Sequence, residues 1–289
     1  MRTLLILIVG MALPLSANGL ELRDNDRVVF LGNSFFERAL DHGYLELALT
    51  LSGQAKNLTF RNLGWDGDTV YGHARTGGRR RAVFGDAEEG FQRLVEYVKS
   101  LEPTVVFVAY GFNECFDGDP GLTPFRKGLQ RLLDTIGDEG TRFVLILPPR
   151  PEEEVGLVHS MLKKYSNAIG VIAREGGHAV IDLFDEARLQ EEGSYENGVH
   201  LSALGYQRVA QAMEEQLKLP GARSVADEEE LRRAIVAKNT LYYHRWRPRN
   251  DAFVYGERKD EQKIAQTEPA KFEPFIAKQE ALIRQLLGQ

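Results

Sequence analysis

A single cysteine, Cys115, stands in 289 residues, so no intrachain disulfide can form. The core must hold without covalent staples, which a chain of this length can do. Cys115 itself reads as a small buried hydrophobe rather than a nucleophile, because the pattern puts no histidine beside it. Histidines are few, and His42, His73, His159, His178 and His244 show no metal-ligand spacing. No H-E-x-x-H occurs either, so a metal-dependent mechanism is not indicated and no cofactor is expected. Positive charge is in deficit: 36 Lys and Arg against 42 Asp and Glu leave a formal charge of −6. That excludes a general attraction for nucleic acid or for an anionic membrane surface. Internal repeats and low-complexity tracts are absent.

The apolar run from Leu4 to Leu15, inside MRTLLILIVGMALPLSANG, is too short for a transmembrane span. Preceded by Arg2 and followed by small residues, it reads as a signal peptide over residues 1–19, with cleavage after Ala17 or Gly19. The expectation is an exported protein, periplasmic or extracellular, with no obligatory membrane partner. About 270 residues would remain, enough for one large α/β domain with an appendage. Basic residues cluster locally in RTGGRRR (75–81) and HRWRPRN (244–250). These are either solvated, ion-paired surface or contacts to a carboxylated or sulfated substrate.

Short apolar runs at 27–31, 58–63, 104–111, 142–149 and 178–184 read as strands. Amphipathic stretches at 36–51, 87–101, 122–137 and 155–175 alternate with them as helices. That alternation predicts a three-layer α/β/α domain with a parallel sheet, over about residues 20–218. Residues 219–289 change character: ELRRAIVAKNTLYYHRW and KFEPFIAKQEALIRQLL read as helices. They form a mainly helical extension, too short and polar to fold alone, which should pack on the α/β body. Functional loops of such a sheet lie at the carboxyl ends of its strands. Gly32 to Ser34, Gly64 to Asp68 and Gly111 to Glu114 all fall there.

Ser34 follows the first strand and precedes a helix, a corner that can expose a hydroxyl or merely cap the helix. His200, in SYENGVHLSALGY, can take the Ser34 proton during attack on a carbonyl, or can fill a surface niche. The backbone N–H groups of Ser34 and Gly64 and the Asn113 amide can form a three-donor oxyanion hole. The plainer readings are a turn at Gly64 and an Asx-turn at Asn113.

The segments VVFLGNSFFE, NLGWDGDT, YGFNE and NGVHLSALGY occur in that order, and together they resemble the SGNH/GDSL hydrolase superfamily over residues 26–217. The resemblance implies a flavodoxin-like α/β/α fold and a serine esterase mechanism. Ser34 would be the nucleophile and His200 the general base, with Ser34, Gly64 and Asn113 stabilising the oxyanion. Members of the superfamily hydrolyse carboxylic esters, including acetylated sugars, lipids and thioesters.

The chain departs from that pattern twice. Asn33 stands where the family has the aspartate of Gly-Asp-Ser, and Asn197 stands where it has an aspartate three residues before the histidine. An aspartate there accepts the imidazole Nδ1–H and stabilises the imidazolium; in the serine-protease triad, Asp to Asn at that place costs about 10⁴ in turnover, roughly 5 kcal/mol. Three readings stay open. Glu196 swings into the orienting role, helped by a bend at Gly198; or Ser34 and His200 form a dyad; or the protein is a weak or inactive hydrolase-like carbohydrate binder. A structural envelope protein is a further alternative.

Trp65 and Tyr110 flank the oxyanion candidates and offer aromatic faces to sugar or acyl chain, or else fill the core. Arg79 and Arg247 can line the rim. The expected reaction is acyl-enzyme hydrolysis of a small ester, with removal of acetyl or other short acyl groups from carbohydrate favoured.

Overall fold

The computed structural model describes residues 19–52, 55–75, 87–152, 157–247, 263 and 267–289. Most of the signal-peptide segment and Arg79 therefore lie outside the described residues. Five strands form one parallel sheet: β1 (Arg27–Gly32), β2 (Thr59–Asn62), β3 (Val105–Ala109), β4 (Arg142–Leu147) and β5 (Ala179–Asp182). Their order across the sheet is β2-β1-β3-β4-β5.

Each strand is apolar on both sides because both faces of the sheet are covered. Alternate residues point to opposite layers. Val29, Leu31, Val106, Val108, Leu145 and Leu147 join the core formed with α3 (Ala87–Ser100), α4 (Gly118–Ile136) and α5 (Leu157–Gly176). Val28, Phe30, Val105, Phe107, Val144 and Ile146 join the opposite core, with α1 (Ser34–Ala39), α2 (Tyr44–Leu51) and α6 (Ala203–Gln216). This is the three-layer α/β/α fold. Burial of each such side chain is worth roughly 1.5–3 kcal/mol.

The helix expected over 36–51 is broken in two. The first segment ends at Ala39, and Gly43, at φ +72, is the N-cap from which α2 starts afresh at Tyr44. A left-handed residue cannot continue a right-handed helix. Helix α4 begins at Gly118, four residues earlier than the spacing suggests.

Beyond α6 the chain forms α7 (Glu228–Trp246), capped by Asp227, whose carboxylate accepts the Glu230 N–H at 2.8 Å. Helix α8 (Glu273–Leu286) packs on α7. Helix α7 lies on the edge strand β2 and on α2. The contact is partly apolar, through Leu47, Leu51, Leu231 and Ile235. It also holds a buried ion pair: Lys238 Nζ donates to Glu46 at 2.7 and 2.8 Å and to the Phe60 carbonyl at 3.2 Å. Asn239 donates to the same carboxylate at 3.0 Å. Among the described residues, no helix is long and apolar enough to cross a membrane.

Candidate active site

Ser34 is the first residue of α1, directly after β1. Asn33, not Ser34, is the N-cap: its Oδ1 accepts the Phe35 N–H at 3.2 Å. The neutral amide oxygen thus does the capping that an aspartate would do. Ser34 is released from that task, and neither its hydroxyl nor its N–H has a partner among the described residues. Ser34 belongs to the wall of a pocket that also includes His200. Phe35, Ile146, Pro148, Pro149 and Tyr206 give the pocket its apolar side, and Arg38 its charged one.

The histidine loop is tied down on both flanks. Tyr195 pairs with Leu201 in a short antiparallel bridge, and the Glu196 N–H donates to the His200 carbonyl at 2.8 Å. Ser202 caps α6 by accepting the Gly205 N–H at 3.1 Å. From α6 the Tyr206 hydroxyl donates to the Phe35 carbonyl at 2.6 Å, which locks the histidine side of the pocket to the serine side.

Glu196 does not orient His200. Its carboxylate is paired with Arg38, on the other side of the loop, because adjacent residues of an extended segment point opposite ways. Asn197 takes that place. Its Oδ1 accepts the backbone N–H of Val199 at 3.2 Å and of His200 at 2.9 Å. Those two bonds fix which end of the amide is oxygen. The Nδ2 end then faces His200 Nδ1 at 3.0 Å. An amide nitrogen can only donate, so Nδ1 is the acceptor and the neutral ring carries its proton on Nε2. This is the reverse of the tautomer a serine base needs.

The expected oxyanion donors are not equally free. The Gly64 N–H is taken by Asn62 Oδ1 at 2.8 Å. A Cβ at Gly64 would meet the Glu37 backbone N at 2.3 Å, so this glycine exists for close packing under α1. Gly67, three residues further on, is differently placed. It lies in a turn closed by the Asp68 N–H on the Trp65 carbonyl at 2.9 Å, at φ +74, with open space where a Cβ would stand. Its N–H has no partner among the described residues. It is the second glycine of GWDGDT. Asn113 gives one amide hydrogen to the Asp68 carbonyl at 2.8 Å, which leaves the other uncommitted.

Beneath these loops lies a buried polar frame. Asp68 accepts Arg75 Nε at 2.8 Å and the Tyr110 hydroxyl at 3.0 Å. Arg75 is thus a buried partner rather than part of a basic surface. Glu114 accepts the N–H groups of Val70 at 2.9 Å and Gly111 at 2.8 Å, so it ties the β2 and β3 loops together. Burial pushes its carboxyl up to about 7, against the pull of those donors. Burial likewise pushes the Cys115 thiol up to about 12, which makes it a poor nucleophile at neutral pH.

Of the two aromatics expected to face substrate, Tyr110 lies in the wall of the Ser34 pocket and Trp65 does not. Tyr110 is 2% exposed with its hydroxyl spent on Asp68, and Trp65 is 7% exposed. Trp65 is covered by Trp246, edge-on at 5.7 Å, and by the Arg247 guanidinium at 3.8 Å from the ring. Arg247 also pairs with Glu37 at 2.7 Å, and Glu37 in turn accepts the Asp66 N–H at 2.5 Å. Arg247 is therefore a brace that the C-terminal extension lays on the Trp65–Asp68 turn, not a rim residue. Among the described residues, no group of three or more His, Cys, Asp or Glu could hold a metal ion.

The GDSL-like lipase/acylhydrolase family matches residues 30–208, which includes every loop just described. The chain belongs to that family. Solved structures share its fold at low identity. An acetyl xylan esterase aligns with TM-score 0.52 and 20% identity, over 65% of this chain and 98% of that one. A catalytic mutant of an acetylxylan esterase from Geobacillus stearothermophilus aligns with TM-score 0.55 and 18% identity, over 71% and 100%. A gut microbial diltiazem-metabolizing enzyme aligns with TM-score 0.52 and 18% identity, over 70% and 49%. No curated protein sequence matches this one. Family membership makes the chain a carboxylic ester hydrolase by class.

Proposed function

We propose that the protein is an exported serine esterase that removes acetyl or other short acyl groups from carbohydrate. The observation that carries the reading is the uncommitted Ser34 hydroxyl sharing a pocket with His200. In this scheme Ser34 Oγ attacks the ester carbonyl carbon, and His200 Nε2 takes its proton. The N–H groups of Ser34 and Gly67 and the free hydrogen of the Asn113 amide receive the negative oxygen. Collapse of the intermediate expels the alcohol, which takes its proton from His200. Water then hydrolyses the acyl-enzyme with His200 again as base.

The short-acyl preference draws on the acetyl esters for which solved structures of the same fold are named. The carbohydrate preference draws on the acetylxylan esterases of the same fold. Asn197 favours a second reading, a weak hydrolase that mainly binds its carbohydrate, because it holds His200 in the unproductive tautomer. The test is hydrolysis of a short-chain activated ester by the parent chain and by Ser34→Ala. Loss of turnover to the uncatalysed rate is expected, and equal rates would remove Ser34 as the nucleophile.

A further inference from the structure

The unfavourable residue at position 197 is followed by glycine, and the surrounding contacts favour a specific reaction of that pair. Asn197 is exposed to water, and Gly198, at φ +76, has no atom within 4 Å of where a Cβ would stand. The Gly198 carbonyl is held by the Glu152 N–H at 2.7 Å, while its own N–H has no partner among the described residues. The Asn197 side-chain oxygen, Oδ1, already accepts two backbone N–H groups, at 2.9 and 3.2 Å. Donors placed this way stabilise negative charge on that oxygen when a nucleophile adds to its carbon. The amide nitrogen, which would leave, lies 3.0 Å from His200 Nδ1. Once the carbon is tetrahedral that nitrogen regains a lone pair, and a proton taken up at His200 Nδ1 from the attacking N–H can be passed to it.

We propose that Asn197–Gly198 is a self-modification site at which the folded protein converts its own amide into the carboxylate that His200 lacks. The Gly198 nitrogen attacks Asn197 Cγ and forms a succinimide ring. The Cγ–Nδ2 bond breaks, and the nitrogen departs as ammonia with the proton lost from Gly198, relayed through His200. Water then adds at Cγ and breaks the Cγ–N bond to Gly198, which restores the peptide link and leaves an aspartate side chain. One water is consumed and one ammonia released, with no change in oxidation state. The new carboxylate keeps the Val199 and His200 N–H bonds through one oxygen and accepts the His200 Nδ1–H through the other. Hydrolysis at the other ring carbonyl would give an isoaspartyl link, whose longer main chain cannot preserve the loop.

The catalytic consequence rests on the esterase reading; the modification does not, and the test separates them. Freshly purified protein is aged at mildly alkaline pH. The peptide containing position 197 is followed by mass spectrometry for a gain of about one dalton and for the linkage formed. The folded chain should convert at least about tenfold faster than the same chain in denaturant, by way of the His200 proton transfer and the two N–H donors. His200→Ala and Gly198→Ala should each slow conversion by about tenfold or more, whereas Ser34→Ala should convert like the parent. Esterase turnover should climb with the aspartyl fraction toward that of Asn197→Asp. Conversion no faster in the folded chain, or an exclusively isoaspartyl product, overturns the proposal. Conversion with inactive Asn197→Asp leaves the modification standing and defeats the esterase reading instead.

Discussion

Replacing Asn197 by aspartate should raise kcat on a short-chain ester by about two to four orders of magnitude. The size follows from the contacts of the amide. For His200 to act as base, its neutral ring must carry the proton on Nδ1, which sets that N–H against the Asn197 NH₂ at 3.0 Å. Turning the amide over would relieve the clash but would abandon the bonds from Val199 and His200 N–H at 3.2 and 2.9 Å. Each is worth roughly 0.5–1.5 kcal/mol. The imidazolium of the transition state then lacks a charged acceptor, an interaction worth about 1.5–3 kcal/mol. Together these reach about 2.5–6 kcal/mol, a range that contains the triad value near 5 kcal/mol. A carboxylate keeps both N–H bonds and supplies the acceptor, so the whole gain belongs to the transition state. Steady-state kinetics should show kcat rising with KM nearly constant. Asn197→Ala should show no such gain. The starting protein must be fresh, with an intact amide at position 197. A change of less than about threefold in kcat, or one confined to KM, would refute the tautomer reasoning.

Gly64→Ala and Gly67→Ala should part company. The first forces a Cβ to within 2.3 Å of the Glu37 backbone and should lower the melting temperature, at a cost of roughly 1–3 kcal/mol or more. The second meets open space at φ +74 and should cost only about 1–2 kcal/mol of stability while lowering kcat. Arg247→Ala removes a ring contact worth about 0.5–2 kcal/mol and the Glu37 pair, so kcat should fall about threefold to thirtyfold with little change in KM. Arg247→Lys should recover part of it. Lys238→Met leaves the Glu46 carboxylate buried without its cation and should cost about 3–5 kcal/mol in denaturant unfolding. Lys238→Met combined with Glu46→Gln should regain most of that. Glu114, raised from 4.5 to about 7, binds its proton more tightly in the fold than in the unfolded chain. It therefore contributes stability below pH 4.5 that is lost as pH rises to about 7, on the order of 3 kcal/mol, and Glu114→Gln should flatten that slope.

The parallel sheet was legible because both of its faces are covered, which writes each strand as an unbroken apolar run. The break at Gly43 was not, since apolar residues continue on both sides of it and only the backbone angle reveals the turn. Ser34, His200 and Asn113 could be placed because each sits beside a strand end or helix start. That the Gly64 N–H is already taken could not be read locally, because it depends on where the Asn62 side chain spends its oxygen. Glu196 looked available until Arg38, 158 residues away in sequence, took its carboxylate. Trp65 and Arg247 read as a sugar platform and a rim cation. They are instead partners of one another, brought together only when α7 packs on the sheet edge. Long-range pairing of this kind leaves no periodicity for a sequence to display.

Covalent labelling at Ser34 is the most direct measurement. An alkyl fluorophosphonate forms a stable adduct with a serine whose hydroxyl is activated by a neighbouring base. Applied to Asn197→Asp and followed by peptide mass spectrometry, it should give one adduct, on Ser34, and none on that residue once His200→Ala is added. An adduct on another residue, or a Ser34 label indifferent to His200, would contradict the pairing of these two side chains as nucleophile and base.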